Sequence, residues 1–285
     1  MKRPRQRTSY AIHRAATGRL ASGMDRSDPD KGLRKKVHQV QNIPKKLRDA
    51  FVSDPGYRMI GGDYAGIEWA IAIWYCAKYN DPPGFHEDLL ERFRKGLFDP
   101  HRYLASFAFS VIEAKVLPDQ RKICKGYTHG RMFDGSPIGL ARSVGHTQAT
   151  GHKVCDAHDR AFQTHAFKEG VYEDACKNKY VQTPLGWRRY FWGYKPKKQE
   201  VLGTLVQATA ADLCKYVGLE IMKSLPPWAE LLTTTHDSFL LQVEEARTQE
   251  GLVYLKDTME MPIPWLDGRS WRADVQDGAN WREVS

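Results

Sequence analysis

Two aspartates stand at positions where a carboxylate could take part in catalysis. Asp63 follows a short apolar run that begins at Tyr57, and Asp237 lies between two β-rich runs, where it predicts the tip of a tight hairpin. Two carboxylates delivered in this way could bind two Mg²⁺ ions about 4 Å apart, which would clamp the attacking and leaving oxygens of a phosphoryl transfer. An aspartate in a turn more often only forms the turn, so the spacing of this pair alone favours that second interpretation.

A basic face on a predicted helix favours the phosphoryl-transfer interpretation. The helix is predicted over 118–132, where Arg121, Lys125 and His129 recur at i, i+4 and i+8 and Phe133 continues the same face. Arginine binds phosphate through two hydrogen bonds, lysine binds it as a point charge, and a flat ring can pack against a sugar or a base. The competing interpretation is a basic face that only contacts solvent.

The elements that would position these residues form an α+β pattern. We predict a buried strand over 57–62, helices over 67–79, 118–132, 150–176 and 205–225, and a hairpin over 231–243. Because strands and helices do not alternate as they do in βαβ units, we expect an antiparallel sheet with separate helices.

Composition limits the classes of protein that need to be considered. The 285 residues include 43 Lys and Arg against 34 Asp and Glu, and the resulting net charge of +9 favours a polyanionic partner. The five cysteines are scattered and form no Cys-x-x-Cys, which argues against a disulfide framework and a cysteine zinc site and favours a reducing compartment. The longest apolar run, 69–77, is shorter than the roughly 20 residues that span a bilayer, so we expect no transmembrane helix.

Three segments resemble the motifs of family A DNA polymerases, the group that includes bacterial DNA polymerase I. Residues 62–68, GDYAGIE, resemble motif A, usually D-Y-S-x-I-E; residues 121–142 resemble motif B, an R-x-x-x-K helix that ends in G-L-A-R; and residues 235–238, THDS, resemble motif C, usually H-D-E. Five supporting segments follow the family's order: TGRL at 17–20, QNIP at 41–44, DPHR at 99–102, TPLGWRRY at 183–190 and QATAAD at 207–212. The likeness runs from about Thr17 to Trp281.

The resemblance implies a right-hand polymerase architecture, with an antiparallel palm sheet and inserted helical fingers. We expect an N-terminal arm and the first part of the palm at 1–114, the fingers at 115–199 and the second part of the palm at 200–285. Only 16 residues precede Thr17, so we expect the thumb and exonuclease domains to be absent. A separate protein that supplies either function is an expected partner, together with primer–template DNA and dNTPs, and no membrane is expected.

The resemblance also implies a reaction and a role for individual residues. The chain would add deoxynucleotides to a primer 3′-OH on a DNA template. Asp63 and Asp237, with the carbonyl of Tyr64, would bind two Mg²⁺ ions, for which Mn²⁺ could substitute. The residues implied to bind the incoming nucleotide are Arg121, Lys125, His129, Phe133 and Glu68, the last of which would exclude a ribose 2′-OH. Those implied to contact DNA are Arg19, Gln207 and His236, and a basic–aromatic cluster beside Tyr190 adds Arg188 and Arg189.

Departures from the family pattern leave two alternatives open. Ser238 stands where the family has glutamate, and single-subunit phage RNA polymerases have H-D-S there, which makes an RNA- or primer-synthesising polymerase the first alternative. Those enzymes have glycine at the sugar gate, whereas Glu68 is retained here. The second alternative is a catalytically silent DNA-binding subunit that needs a partner. We expect a phage-type member that acts in a bacterial or phage-infected cytoplasm rather than in an organelle.

Two further patterns have less specific interpretations. The spacing His152-x-x-Cys155-x-x-His158 could suggest a metal site, but it matches no standard structural zinc pattern, so we predict a polar helix surface. The tryptophans at 265, 271 and 281 are predicted to pack in the palm rather than to stack on bases.

Overall fold

The computed structural model, which describes residues 10–11, 15–22, 26–27, 34–35 and 40–285, divides into two packing units. The first unit joins Met1–Ala65 to Gln207–Ser285, and the second is Gly66–Val206. Residues 1–9 of the predicted N-terminal arm lie outside the described residues. The division into palm and fingers segments at 114 and 199 concerns function and stays a prediction.

Strands and helices together confirm the predicted α+β class. The described strands, in chain order, are β1 (Tyr10–Ala11), β2 (Ala21–Ser22), β3 (Arg26–Ser27), β4 (Arg34–Lys35), β5 (Tyr57–Tyr64), β6 (Tyr180–Gln182), β7 (Arg188–Tyr190), β8 (Ala229–Thr235), β9 (Ser238–Glu244) and β10 (Ala273–Gly278). The described α-helices are α1 (Ile67–Tyr79), α2 (Phe85–Arg94), α3 (Pro100–Phe109), α4 (Pro118–Met132), α5 (Pro137–Ser143), α6 (Gln148–Phe162), α7 (His165–Asn178), α8 (Lys198–Ser224) and α9 (Thr248–Met259).

A four-stranded antiparallel sheet in the order β10–β5–β9–β8 is the framework of the first unit. β5 and β9 are the central strands, and Ile60 and Leu241, which pair across them, are completely buried. The predicted strand at 57–62 and the predicted hairpin at 231–243 are confirmed, and both are slightly longer than predicted.

Two glycines allow other segments to lie against β5 just before Asp63. A Cβ on Gly61 would come within 2.1 Å of the carbonyl oxygen of Val284, and a Cβ on Gly62 would come within 2.5 Å of the sulfur of Met259. Because successive residues of a strand face opposite sides of the sheet, the C-terminal segment covers one face and α9 covers the other. Both faces of β5 are therefore packed up to the residue that precedes the exposed Asp63.

The second unit is helical and has an aromatic core around α1. The indole ring of Trp69 is buried, and its centroid lies 4.9, 5.5 and 5.8 Å from those of three phenylalanines, Phe93, Phe98 and Phe162. The helices predicted over 67–79 and 118–132 are confirmed at both ends.

The predicted helix over 150–176 is wrong as a single helix. α6 ends at Phe162, and Gln163 adopts a left-handed backbone conformation with φ of 47°, which ends the helix before α7 begins at His165. The helix predicted over 205–225 is confirmed, but α8 begins earlier, at Lys198. In both cases the hydrophobic periodicity correctly predicted a helical conformation but did not predict where the helix begins or ends.

The predicted polar surface around Cys155 is also wrong. Cys155 and His158 are 1% and 0% exposed, and Nε2 of His158 lies 3.2 Å from the carbonyl oxygen of Thr128 on α4. His152 is exposed. Among the described residues, no group of three or more His, Cys, Asp or Glu side chains is placed to hold a metal ion. The spacing therefore reflects helix packing within the second unit.

Three predictions drawn from composition can be compared with the structure. Trp271 and Trp281 are buried, which confirms that they pack in the core, whereas Trp265 is only partly buried. The five cysteines all fall within the described ranges and are free thiols, as the absence of a disulfide framework requires. In the part of the chain that the structure describes, no helix is both long and apolar enough to cross a membrane.

Replacing Gly61 by alanine tests the close packing at the end of β5. We expect Gly61→Ala to lower the free energy of unfolding by about 1–3 kcal/mol, because the added methyl group would overlap the backbone of Val284. The matched control is Gly203→Ala in α8, where nothing lies within 4 Å of the added Cβ and alanine favours the helix by up to about 1 kcal/mol. Thermal unfolding followed by circular dichroism measures both; equal midpoints for the two variants would contradict the packing described here.

Candidate active site

The hairpin between β8 and β9 presents Asp237 in a two-residue turn. His236, the first residue of the turn, has φ of 55°, in the left-handed region that the common two-residue hairpin turns use at this position. Across the turn Thr235 pairs with Ser238, and their hydroxyl oxygens are 2.6 Å apart. The backbone N–H of Tyr64 donates to the carbonyl oxygen of Asp237 at 3.2 Å. This bond fixes the turn against the end of β5.

Strand pairing aligns Asp63 with residues from two other strands. In β5 it is paired with Ser238 of β9 on one side and with Asp274 of β10 on the other. Directly opposed residues of antiparallel strands have their side chains on the same face, so these three side chains form a row across the sheet. Asp274 was not among the predicted site residues. Its alternating strand pattern was the available signal, but nothing local indicated that β10 pairs with β5.

Burial and neighbouring carboxyl groups together determine the electrostatics of this row. Partial burial, the charges of Asp237 and Asp274, and a hydrogen bond with Asp237 together raise the pKa of Asp63 to about 7, while Arg48 opposes the increase. The residue has an exposed surface, so solvent screens part of this repulsion. A site in which carboxylates repel each other favours the binding of a cation.

The donors present fit a divalent metal. Mg²⁺ is commonly held by one or two carboxylates, with water and substrate phosphates completing its shell, so Asp63 and Asp237 suffice without a third protein ligand. The side chain of Tyr64 is buried, and its hydroxyl donates to the carbonyl oxygen of Met259 at 2.6 Å. The role predicted for Tyr64 belongs to its main-chain carbonyl and stays a prediction.

Two of the predicted DNA-binding residues lie at one cavity of the first unit. Arg19 and His236 line a cavity of about 450 Å³, whereas Gln207 on α8 does not. The hydroxyl of Tyr10, another lining residue, donates to the carbonyl oxygen of Thr234 at 2.9 Å and so holds β1 beside β8. The structure thus brings the segment around Arg19 to the hairpin that carries Asp237.

The QNIP segment anchors the chain that follows Arg19. The side-chain oxygen of Gln41 accepts a hydrogen bond from the backbone N–H of Ser22 at 2.9 Å. In return, the hydroxyl of Ser22 accepts one from the backbone N–H of Gln41 at 3.2 Å. Both residues are buried, so this reciprocal pair satisfies polar groups that would otherwise lack partners.

In the second unit, α4 carries the predicted phosphate-binding residues. Nε of Arg121 lies 2.5 Å from a carboxylate oxygen of Asp99, and Lys125, one turn further along α4, is exposed. Asp99 also caps α3 by accepting hydrogen bonds from the backbone N–H groups of His101 and Arg102. Burial opposes the effect, but these bonds and the Arg121 guanidinium hold the pKa of Asp99 below its usual value. Asp99 therefore orients Arg121, a role that the motif resemblance did not indicate.

The ring of His129 occupies an unusual polar environment. Its Nδ1 is buried and has no hydrogen-bond partner among the described residues, and its ring lies 6.1 Å from that of His101. Burial lowers the pKa of His129, with Glu68 opposing the shift and Lys125 adding to it. His129 is therefore a neutral flat ring at neutral pH and lies close enough to Glu68 to be affected by its charge. Phe133, four residues after His129, is the C-cap of α4.

The β6–β7 hairpin, also in the second unit, separates the two predicted basic residues. Arg189 pairs with Glu200, and its Nη1 donates to the hydroxyl of Thr204 at 3.2 Å. Arg188 lies on the opposite face of the strand, where its guanidinium carbon is 4.8 Å from the ring centroid of Tyr180. The prediction of DNA contact stays open for both, but only Arg188 is on the exposed face.

The dependence of stability on pH tests whether the pKa of Asp63 is raised in the folded chain. Since the pKa of Asp63 is about 7 in the folded chain and near the ordinary value of 3.8 in the unfolded chain, the folded state holds the proton more tightly between these values. Stability should therefore fall as the pH rises from about 4 to about 7. The full shift would correspond to roughly 4 kcal/mol, and solvent screening reduces our expectation to about 1–2 kcal/mol.

The measurement compares Asp63→Asn with the wild type in a metal-free buffer that contains a chelator. Near pH 4.5 the thermal midpoints of Asp63→Asn and the wild type should differ only by a constant offset. Between pH 4.5 and pH 8 the midpoint of the variant should rise relative to that of the wild type. Asp257→Asn, at an exposed position of α9, is the control and should show no such gain. A difference in thermal midpoint between Asp63→Asn and the wild type that does not change with pH would contradict the raised pKa of Asp63.

Comparisons with known proteins agree with this arrangement. The family model for DNA polymerase family A matches residues 1–283. A thermostable DNA polymerase I of Thermus filiformis is 28% identical over 298 residues, which cover 96% of this chain and 33% of that protein. The DNA polymerase I of Pseudomonas aeruginosa is 29% identical over 309 residues, which cover 97% of this chain and 30% of that protein. This chain thus spans about a third of the length of these relatives.

A solved structure shows the same fold. The POL domain of Pol1 from M. smegmatis, in complex with DNA primer-template and dNTP, has a TM-score of 0.77 and 26% sequence identity, and the match covers 97% of this chain and 48% of that one. The family match also agrees with the sequence resemblance at motifs A, B and C. On these grounds the chain belongs to DNA polymerase family A.

Proposed function

We propose that this chain is a DNA-directed DNA polymerase, a nucleotidyltransferase that adds deoxynucleotides to a primer 3′-OH on a DNA template. The observation that carries the proposal is the placement of Asp63 and Asp237 side by side, one at the end of β5 and one in the adjoining turn. Membership of DNA polymerase family A supports it. So does the similarity to a POL domain whose structure contains DNA primer-template and dNTP.

The carboxylates would hold the divalent ions that the reaction needs. Bound to Asp63 and Asp237, with the carbonyl of Tyr64, two Mg²⁺ ions would lower the pKa of the attacking hydroxyl and stabilise the leaving pyrophosphate, and Mn²⁺ could substitute. The raised pKa of Asp63, caused by burial and by the charges of Asp237 and Asp274, supports this role, because a bound cation would stabilise the charged carboxylate. Asp274 adds negative charge beside Asp63 without being required as a ligand.

Residues of α4 would bind the incoming nucleotide. The ion pair with Asp99 orients Arg121 through Nε, which leaves its two terminal nitrogens to bind phosphate. Lys125, which is exposed, would add a point charge, and together these cations would offset charge that grows in the transition state. The neutral ring of His129 would pack against the sugar and base, and Phe133 would lie near the template base.

Contacts with DNA are proposed for residues of both units, each in its own setting. Arg19 and His236 share one cavity, which supports a joint role near the nascent base pair. Gln207, Arg188 and Arg189 are assigned to DNA by the family resemblance and by their charge or polarity. A separate protein that supplies thumb or exonuclease function stays part of the proposal.

Replacement of either metal-binding carboxylate tests the proposed function directly. Asp63→Ala and Asp237→Ala should each lower the rate of primer extension with dNTPs by about 10³-fold or more, because several kcal/mol of charge stabilisation would be lost. The matched control, Asp257→Ala, removes an exposed aspartate of α9 and should extend primers like the wild type. Extension by Asp63→Ala at the control rate would reject the metal assignment. A folded wild-type chain that extends no primer with dNTPs or rNTPs would favour the silent-subunit alternative.

An RNA- or primer-synthesising polymerase is the second candidate, and Ser238 is the observation that favours it. Its hydroxyl donates to the carbonyl oxygen of Thr235 at 2.9 Å and therefore closes the turn, in the place where the family usually has a carboxylate. The choice between the two candidates depends on the sugar that the enzyme selects. Glu68, which lies within electrostatic range of His129, is the residue proposed to exclude a 2′-OH.

Substitution of Glu68 separates the two candidates. The wild type should prefer dNTPs to rNTPs, and Glu68→Ala should reduce that preference at least about tenfold, since removing the side chain makes room for a hydroxyl. Glu173→Ala, at an exposed site of α7, is the control and should keep the wild-type preference. Incorporation assays with each nucleotide class give the ratio of kcat/KM; a wild type that prefers rNTPs would favour RNA or primer synthesis.

A further inference from the structure

The β6–β7 hairpin and the segment after it form a surface of unusual composition. Residues 177–198 contain seven lysines or arginines, six aromatic residues and no aspartate or glutamate. A charged surface loop normally mixes both signs, and large aromatic side chains are normally buried. We name the exposed part of this segment the hairpin surface; its members are Lys179, Tyr180, Arg188, Tyr190, Trp192, Tyr194 and Lys195.

The rings of the hairpin surface form a continuous platform. Tyr180 and Tyr190 pair across the two strands, with ring centroids 5.5 Å apart, and the ring of Trp192 lies 4.5 Å from that of Tyr190 at an interplanar angle of 32°. Trp192 is 73% exposed and Tyr190 is 42% exposed. Phe191 between them is completely buried, and its backbone N–H donates to the carbonyl oxygen of Lys179 at 2.8 Å. The platform is therefore anchored from below while its rings face solvent.

Cations surround the platform without acidic partners. Arg188 lies over the ring of Tyr180, and Lys179 and Lys195 line a depression of about 630 Å³ beside Trp192. Within the described residues, no carboxylate lies at ion-pair distance from any of these three cations. Arg189, on the other face of the strand, is instead paired with Glu200. The positive charge on the platform side is thus available to an external anion.

We propose that the hairpin surface binds single-stranded DNA, by stacking bases on Trp192 and Tyr190 while the cations contact the phosphates. Exposed rings next to Lys and Arg are the arrangement by which proteins bind single strands without regard to sequence. A duplex does not fit as well, because its bases already stack on each other and leave no free faces for the rings. The identification of this strand as the unpaired template rests on the proposed function; the binding of single-stranded DNA does not.

Binding of an unpaired oligonucleotide tests the surface without requiring catalysis. Fluorescence anisotropy with labelled oligo(dT) of about 16 nucleotides should show that Trp192→Ala binds about 5- to 100-fold more weakly than the wild type, the range expected for loss of one stacked base. Trp192→Phe, which keeps a ring, should recover most of the affinity. Leu97→Ala removes another exposed apolar side chain of the same unit, 71% exposed, and should bind like the wild type.

Salt and competing ligands decide between the candidate partners. Arg188→Ala should flatten the dependence of log Kd on log salt concentration, since one phosphate contact would be lost. Equal affinity of Trp192→Ala and the wild type for oligo(dT) would overturn the proposal. It would also be overturned if Trp192→Ala weakened binding of a blunt duplex as strongly as binding of oligo(dT), or if the wild type bound phosphatidylserine vesicles and did not bind the oligonucleotide.

The template assignment has a separate test. Wild-type affinity should be higher for a primer–template with a long single-stranded 5′ overhang than for one with an overhang of a single nucleotide, and Trp192→Ala should remove that difference. A wild type that fails to extend primers but still binds oligo(dT) through Trp192 would reject the proposed function and keep the surface. Loss of the overhang effect only in Leu97→Ala would reject the template assignment.

Discussion

The pairing of β5 with β9 is the constraint on which the candidate active site depends. It places Ser238 opposite Asp63, although the two lie far apart in the chain, and it brings the turn that carries Asp237 to the end of β5. Strand side chains alternate between faces, so a slip of one residue would turn Asp63 to the other side of the sheet. The packing of α9 and the C-terminal segment against the glycines of β5 opposes such a slip, because only residues without a side chain fit there.

That constraint concentrates negative charge in a chain whose net charge is positive. Asp63 lies beside Asp237 and Asp274, and burial together with the charges of these two neighbours raises its pKa. Binding sites commonly sacrifice stability in this way, since the repulsion that weakens the free protein is relieved when the ligand binds. Here the relief would come from divalent cations.

In the second unit, packing and ion pairs orient cationic and aromatic side chains before any ligand binds. Asp99 holds Arg121 through Nε while capping α3, so the same carboxylate shapes the backbone and aims a guanidinium. On the β6–β7 hairpin the alternation of the strand divides the charge, since Arg189 is paired with Glu200 whereas Arg188 stays on the exposed aromatic face. Of these two adjacent arginines, only Arg188 is therefore placed to contact a ligand on the aromatic face.

Local sequence patterns were enough to predict several of the helices and strands and to identify the motif residues. α1, α4 and the hairpin around Asp237 follow from periodicity and turn chemistry over a few neighbouring residues, and the order of the motifs indicated the family. Tertiary structure decided what depends on distant partners: the place of Asp274 beside Asp63, the burial of Cys155 and His158, and the pairing of Arg121 with Asp99. Strand order and helix contacts join segments that are remote in sequence, and their energies are fixed only when the chain packs, so no local pattern can specify them.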